Sequence, residues 1–390
     1  MKDSGHNGEM PMEGWKRLLL GDALTFQRGF DITKDEQREG PYPVISSSGS
    51  RSTHAEFKVC GPGVIIGRKG SLGTVFFSDG DYWPHDTTLW IKDFHDNYPK
   101  FAYYFLQTMG FKQLDVGAAN PSLNRNHIHT IPVFWPPLPV QHRIAGILSA
   151  YDELIENSQR RIRILEEMAR ALYREWFVHF RFPGHENIPL VESSLGEIPK
   201  GWEVKNLRDI AENIRRNVPK GQLKDSKPYV GLEHIPRRSL ALEAWEITTE
   251  LGSNKLAFKK DEVLFGKIRP YFHKVSVAPF DGLCSADTIV IRSRRPEHYG
   301  IVVSCVSSDD FVAVASATAN GAKMPRANWD VLEKYQVVIP KGNVADKFSA
   351  LFTDIIAQQQ ALIFQIKNLR RTRDLLLPRL FSGQVNLKES

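Results

Sequence analysis

Cysteine is scarce in this chain. Cys60, Cys284 and Cys305 are the only three in 390 residues, too few and too scattered for a disulfide framework or a thiolate zinc site. Buried free thiols in a reducing compartment are the expectation. Long apolar runs are also missing, none approaching the roughly 18 residues of a membrane span, so no membrane is expected as a partner. The opening residues MKDSGHNGEMP lack the apolar core of a signal peptide. A cytoplasmic location follows as the expectation. Charge of one sign is only in slight excess, at +6 with an isoelectric point of about 9.0. That balance is compatible with a polyanionic partner and far from diagnostic of one.

Catalytic signatures are absent as well. A phosphate-cradling loop needs Gly-x-x-x-x-Gly-Lys-Ser/Thr, and Gly61-Pro62-Gly63 followed by Gly67-Arg68-Lys69 has the wrong spacing. No Gly-x-Gly-x-x-Gly run opens a helix. Asn120-Pro121-Ser122-Leu123 lacks the second proline and the aromatic with which an amino-methyltransferase would clamp a flipped base. Glu203-Val204-Lys205 is half of a nuclease metal motif without its Pro-Asp, and reads as a strand with solvated charges. His127-Ile128-His129 would put two histidines on one face of a strand, but no carboxylate or cysteine ligand is near. The chain reads as non-catalytic, with no metal and no cofactor of its own.

What is present is a duplication. Gly8-Glu9-Met10-Pro11 and Gly14-Trp15 return as Gly196-Glu197-Ile198-Pro199 and Gly201-Trp202. Leu20 and Asp22 recur as Leu207 and Asp209, Asp86-Thr87-Thr88 is matched by Asp287-Thr288, and Asn124 and Pro136 by Asn328 and Pro340. The unit is several times longer than a solenoid repeat, so it is a whole domain plus helix. Short apolar runs such as Val64-Ile65-Ile66 and Thr288-Ile289-Val290-Ile291, punctuated by Gly, Pro, Asp and Ser, predict strands joined by turns. A helix is predicted from Pro99 to Met109. Each copy reads as an α/β or α+β domain built on a curved sheet.

After each copy comes a helix with alternating steps of four and three. From Ile144 the steps fall on Leu148, Tyr151, Ile155, Ser158, Ile162, Leu165, Ala169, Leu172 and Trp176, with only Ser158 polar. The same register gives Phe348, Phe352, Ile355, Gln359, Leu362, Ile366, Leu369, Arg373, Leu376 and Leu380, of which Gln359 and Arg373 are polar. Such stripes need partners, and a sustained 4-3 repeat makes a supercoiling seam. The prediction is an antiparallel coiled coil, about 50 Å long at roughly 1.5 Å per residue, in a pseudo-twofold cyclic arrangement. A plain helical hairpin inside a core is the alternative. The expected organisation is a first globular domain over 1–137, a central helix over 138–181, a Pro/Gly/Ser-rich linker and second domain over 182–341, and a final helix with tail over 342–390. Residues 1–14 are expected near the end of the second helix. Two domains on one rod would sit roughly a turn or more of duplex DNA apart.

Candidate contacts to nucleic acid are modest. Arg68, Lys69 and Ser71 lie on one inter-strand loop, and Lys267 and Arg269 lie on the matching loop of the second copy. Arginine can read guanine and lysine or serine can hold phosphate, whereas a solvated basic turn is the plain alternative. Near the end of each domain, Gly117–Asn126 parallels Ala319–Asn328, bringing Asn124, Arg125, Lys323, Arg326 and Asn328. Both asparagines can equally cap the helical turn that follows. Arg215-Arg216 with Lys220, Lys224 and Lys227 make a basic run peculiar to the second copy, of the kind that is usually a solvated face.

Three motifs carry a resemblance. Pro136-Pro137-Leu138-Pro139-Val140-Gln141-His142-Arg143-Ile144-Ala145, continuing through Leu148, Asp152 and Ile155 to Trp176-Phe177, resembles the central helix of type I restriction-modification specificity subunits. Gly196–Trp202 is similar to that family's lead-in to its second target-recognition domain, and Leu376-Leu377-Pro378-Arg379-Leu380-Phe381-Ser382-Gly383 to its C-terminal signature. The second copy departs from the pattern, with Pro340-Lys341-Gly342-Asn343 in place of the Leu-Pro-x-Gln run. The resemblance implies a DNA-specificity subunit whose two domains each read half of a split, asymmetric double-stranded DNA site. It implies two methyltransferase subunits docked on the helices, joined by restriction subunits that translocate and cleave. S-adenosylmethionine, ATP and magnesium would belong to those partners. The competing readings are a self-contained methyltransferase or nuclease, and a non-catalytic scaffold whose two domains bind proteins.

Overall fold

The computed structural model describes residues 14–111, 122–223, 225–321 and 323–385. It divides into two compact units, Met1–Leu154 with Leu369–Ser390, and Ile155–Asn368. Each unit therefore holds one globular domain and a portion of both long helices.

In the first unit, Lys16–Leu19 pairs antiparallel with Pro132–Trp135, Lys16 facing Trp135, and so ties the domain's beginning to its end. An antiparallel sheet runs in the order Thr25–Arg28, Thr88–Asp93, Gly63–Gly67, Val75–Ser78. A second sheet joins Gly49–His54, Tyr42–Ser46 and Trp83–Pro84. The single curved sheet expected from sequence is thus two sheets and a short ladder. All of Gly63–Gly67 is buried, which is why that strand reads as continuous apolar sequence without alternation. The helix Pro99–Gln107 ends just before the expected Met109 and buries Phe101, Ala102, Tyr104, Phe105 and Leu106. Ile144 and Leu148 of the first long helix and Leu380 of the second enter the same core as Phe26, Phe101 and Trp135. Burial of each such side chain is worth about 1.5–3 kcal/mol.

The start of the first long helix is fixed by a polar clasp. Asn97 Oδ1 accepts from Trp135 Nε1 and from Gln141 Nε2, both at 2.7 Å, while Gln141 Oε1 accepts from the Tyr98 N–H at 2.9 Å. Gln141 is buried, and its amide is satisfied on both sides, as a buried amide must be. This is what the glutamine of the Leu-Pro-x-Gln run does here.

The second unit repeats the plan. Glu203–Asn206 pairs with Gln336–Ile339. An antiparallel sheet runs Ala211–Asn213, Thr288–Ser293, Val263–Gly266, Val275–Val277, beside a five-stranded sheet holding Arg216–Val218, Lys255–Phe258, Gly282–Ser285, Lys227–Val230 and Glu246–Thr248. The helix Tyr299–Val306 approaches the second long helix closely. A Cβ on Gly300 would meet Phe348 and Phe352 at 2.9 Å, and the Gly300 N–H donates to Ser349 Oγ at 3.1 Å.

Several expectations are corrected. The segment read as a linker contains an antiparallel hairpin, Leu190–Ser193 with Gly196–Pro199, and Phe182 is buried 4.8 Å from the Trp202 ring. Its prolines and glycines shape turns and do not loosen the chain. Cys60 is exposed, unlike Cys284 and Cys305, because it precedes a surface turn. Arg216 is no solvated charge, since it forms a two-bond pair with buried Glu262 at 2.7 Å for each bond. Gly8–Pro11, Gly117–Pro121 and Lys224 lie outside the described residues, as does the expected placement of residues 1–13.

The long helices span Leu138–Tyr173, continued by a π-helical turn Arg174–Val178, and Val344–Phe381. Ile144, Leu148, Ile155, Ser158, Ile162, Leu165, Ala169 and Trp176 are buried, as are Phe348, Phe352, Ile355, Gln359, Leu362, Ile366 and Leu380. Tyr151, Leu172, Leu369, Arg373 and Leu376 are half-buried. The two central polar positions, Ser158 and Gln359, are as buried as their apolar neighbours.

Candidate nucleic-acid interface

In the first unit three segments meet at one end of the central strands of the sheet. Gly67 ends its strand opposite Thr88, and a Cβ there would lie 2.1 Å from the Ser71 carbonyl oxygen, so the tight loop requires glycine. The Arg68 and Lys69 N–H groups both donate to the Thr87 carbonyl, at 2.8 and 3.1 Å, and the Leu123 N–H donates to the Arg68 carbonyl at 3.0 Å. Lys69 also bridges Ser122. The basic loop, the turn at His85–Thr87 and the segment before the short helix Arg125–His129 are therefore one assembly.

The second unit builds the same assembly and repeats two of these three bonds. Gly266 lies opposite Thr288, the Lys267 N–H donates to the Asp287 carbonyl at 2.8 Å, and the Ala327 N–H donates to the Lys267 carbonyl at 3.0 Å. Arg68 thus corresponds to Lys267, Thr87 to Asp287 and Leu123 to Ala327. The threonines that match are Thr88 and Thr288, each opening a buried strand.

Asn124 Oδ1 accepts from the Asn126 N–H at 3.0 Å, and Asn328 Oδ1 from the Asp330 N–H at 3.0 Å. Both asparagines therefore act as helix caps, the second of the two readings open to them. His127-Ile128-His129 is helical and not the strand expected. Ile128 faces the core, and His129 Nε2 accepts from the Phe26 N–H at 2.9 Å. Burial, then nearby Arg125, holds the His129 imidazolium pKa below its ordinary value.

The cations divide into two groups. Lys267 Nζ donates to the Ala286 carbonyl at 3.1 Å, and Arg326 Nε lies 3.3 Å from Asp287 Oδ1. Burial lowers the Lys267 ammonium pKa, and the Arg215 charge lowers it further. By contrast, Lys69, Arg125, Arg269 and Lys323 have no carboxylate partner among the described residues, and Arg68 Nη1 is buried without a hydrogen-bond acceptor. Ser71 is exposed on the same loop. Uncompensated cations on a backbone-pinned surface are what a phosphate or a guanine edge would satisfy.

Sequence reasoning missed the acidic side of the first assembly. Asp86 is engaged by Arg28 at 3.0 Å and His85 Nδ1 at 2.9 Å, so its charge is not opposed to the free cations. Arg28 lies too far along the chain for any spacing rule to have found it. Among the described residues no three His, Cys, Asp or Glu side chains cluster as a metal site, and no single helix is long and apolar enough to cross a membrane.

Residues 12–167 match the family described as the type I restriction modification DNA specificity domain. The type I restriction enzyme MjaIX specificity subunit of Methanocaldococcus jannaschii is 26% identical over 307 residues, covering 74% of this chain and 70% of its own. The type I restriction enzyme EcoDI specificity subunit of Escherichia coli is 22% identical over 412 residues, covering 97% and 90%. In fold, the chain resembles the crystal structure of a type I restriction-modification system S subunit from M. genitalium, with a TM-score of 0.63, 15% identity, and coverage of 98% and 99%.

Proposed function

We propose that the chain is a type I restriction-modification specificity subunit, the family it resembles in sequence and fold, and that each globular domain reads one half of a bipartite, non-palindromic DNA site. The observation that carries this reading is the recurrence of one three-segment assembly in both units, with matched hydrogen bonds but different side chains. Arg68, Lys69, Ser71 and Arg125 would face one half-site, and Lys267, Arg269, Lys323 and Arg326 the other. Asn124 and Asn328 hold these loops through their caps, with their amide N–H groups left for DNA. Different side chains on one frame give different half-sites on a common geometry.

The long helices would form an antiparallel coiled coil that sets the unread spacer. Support comes from within each unit. In the first, Ile144 and Leu148 share a core with Leu376 and Leu380. In the second, Tyr173 and Trp176 pack at a tilt around Phe348, with ring centroids at 6.2 and 5.6 Å. The late turns of one helix thus meet the early turns of the other. Two methyltransferase subunits would dock on this rod, supplying S-adenosylmethionine chemistry, and the restriction subunits would supply ATP- and magnesium-dependent translocation and cleavage. This chain would contribute recognition and no catalysis.

Single-molecule methylome sequencing of the source organism, with and without this gene, tests the proposal. Loss of methylation at one split, asymmetric motif is the expected result. An unchanged methylome, with the partner subunits present and active, would overturn it in favour of a protein-binding scaffold.

A further inference from the structure

The two basic loops share a frame but not a tip. The Gly67 N–H donates to the Thr74 carbonyl at 2.8 Å and the Gly266 N–H to the Lys274 carbonyl at 2.9 Å, so both loops close at matched positions. Between them the first unit has Arg68-Lys69-Gly70-Ser71-Leu72-Gly73. The second has Lys267-Ile268-Arg269-Pro270-Tyr271-Phe272-His273, one residue longer. Each loop places two residues in left-handed backbone. In the first unit these are Gly70 and Gly73, with φ of 74° and 72°, and in the second Arg269 and His273, with φ of 49° and 52°.

Glycine takes that conformation without steric cost, and arginine and histidine do not. The second unit therefore carries strain at both positions where glycine would relieve it, which is the pattern of a loop whose side chains have work. His273 is buried, with Nε2 2.9 Å from the Ser307 carbonyl, and so pins the far end of the turn. Pro270 is buried and fixes the near end. The Arg237 guanidinium sits 4.1 Å from the Phe272 ring centroid and holds that ring. What this rigid turn offers outward is Tyr271, 56% exposed, its ring edge-on to Phe272 at 4.9 Å. Beside it Arg269 has no side-chain partner among the described residues, while its N–H is tied to the Pro325 carbonyl at 2.8 Å within the basic assembly. In the first unit the corresponding tip has no aromatic, and Leu72 there is buried.

We propose that Tyr271 is an aromatic wedge that enters a base step of the half-site read by the second domain, with Arg269 on the adjoining phosphate. The inference rests on the DNA-reading function proposed above. An aromatic face stacks on any base, and an inserted ring unstacks the step it enters. A tip already ordered loses little freedom on insertion, so the strained backbone would serve binding. The distortion would be confined to one half-site, because the glycine-rich tip of the first unit has nothing to insert.

The test uses the full chain assembled with its methyltransferase subunits and a cognate duplex carrying 2-aminopurine at each purine in turn. Emission is expected to rise at one step of the second half-site and at none of the first. Tyr271→Ala should abolish that rise and weaken affinity by roughly ten- to a hundredfold, with an unchanged thermal midpoint because the ring is exposed. Tyr271→Phe should retain both emission and affinity. The wedge is overturned if no step responds to the unaltered protein, if Tyr271→Ala binds as tightly as the parent, or if Tyr271→Phe behaves like Tyr271→Ala. Failure of the unaltered complex to prefer cognate over random duplex would instead overturn the DNA-reading function itself.

Discussion

Arg373 and Asp152 lie 221 residues apart in sequence, yet their side chains form an ion pair within the first unit. Asp152 Oδ2 also accepts from the Tyr104 hydroxyl at 2.6 Å, while Arg373 donates to Asp374 at 2.8 and 3.0 Å. One arginine of the second long helix is thereby tied to the first helix and, through Tyr104, to the domain.

Replacing either partner should loosen this tie. Asp152→Ala and Arg373→Ala are each expected to destabilise the first unit by about 1–2 kcal/mol, reduced from a buried pair's worth because both side chains remain partly exposed. A double-mutant cycle followed by urea unfolding should give a coupling of about 1 kcal/mol. A coupling indistinguishable from zero would mean that solvent screens the pair.

Inserting one heptad into both long helices, on the coiled-coil reading, should lengthen the unread DNA spacer by about three base pairs, from roughly 1.5 Å per residue against roughly 3.4 Å per base pair. The methylated motif reads the result directly. An unchanged spacer with intact methylation would eliminate the helices as a ruler.

Arg68→Ala and Arg269→Ala should each weaken DNA binding. Loss of discrimination in one half-site would mark a base contact. A uniform loss, with a salt slope reduced by about one, would mark a phosphate contact. Titrations at several salt concentrations separate the two, and unchanged affinity in both variants would remove these loops from the interface.

Acid should destabilise the fold through one buried and two half-buried histidines. Burial holds His129, His273 and His298 below the ordinary value of 6.5, so the folded chain binds fewer protons at these sites than the unfolded one. Their contribution is fully present above pH 6.5 and is lost as the pH falls through the lowered folded values. Thermal midpoints should drop over that window, and His129→Gln, which can still accept from the Phe26 N–H, should shrink the drop. A pH profile identical to that of the parent would remove His129 from the effect.

The cysteines should react unequally. Burial pushes the Cys284 thiol up to about 12 and the Cys305 thiol higher still, whereas Cys60 is exposed. A thiol reagent at pH 8 should modify Cys60 alone in the native protein, and all three after denaturation. Native labelling of Cys284 or Cys305 would mean that their strands and helices open readily.

Regular spacing is what made the long helices legible, because one 4-3 register selects buried positions whatever their polarity, down to Ser158 and Gln359. The duplication was legible for a similar reason, since its glycines, tryptophans and asparagines recur at nearly fixed intervals. The division into two sheets was not, because strands such as Tyr42–Ser46 and Trp83–Pro84 pair across dozens of residues without a spacing rule. The candidate basic loops were only half legible. Their cations could be seen, but not the carbonyls of Thr87 and Asp287 that pin them. Nor could the helix-cap role of Asn124 and Asn328 be separated from base reading without the Oδ1 partners. Tyr271 escaped notice because one exposed aromatic looks ordinary until the backbone on either side of it is known to be strained.

The first unit draws its core from both ends of the chain, since Leu376, Leu377, Leu380 and Phe381 pack with Phe101, Ile144 and Leu148. The second unit needs nothing beyond Asn368. On a ribosome, then, the order of completion is the reverse of the order of synthesis. The domain made second can close its core first, while the domain made first waits with an apolar face uncovered until the last turns of helix emerge.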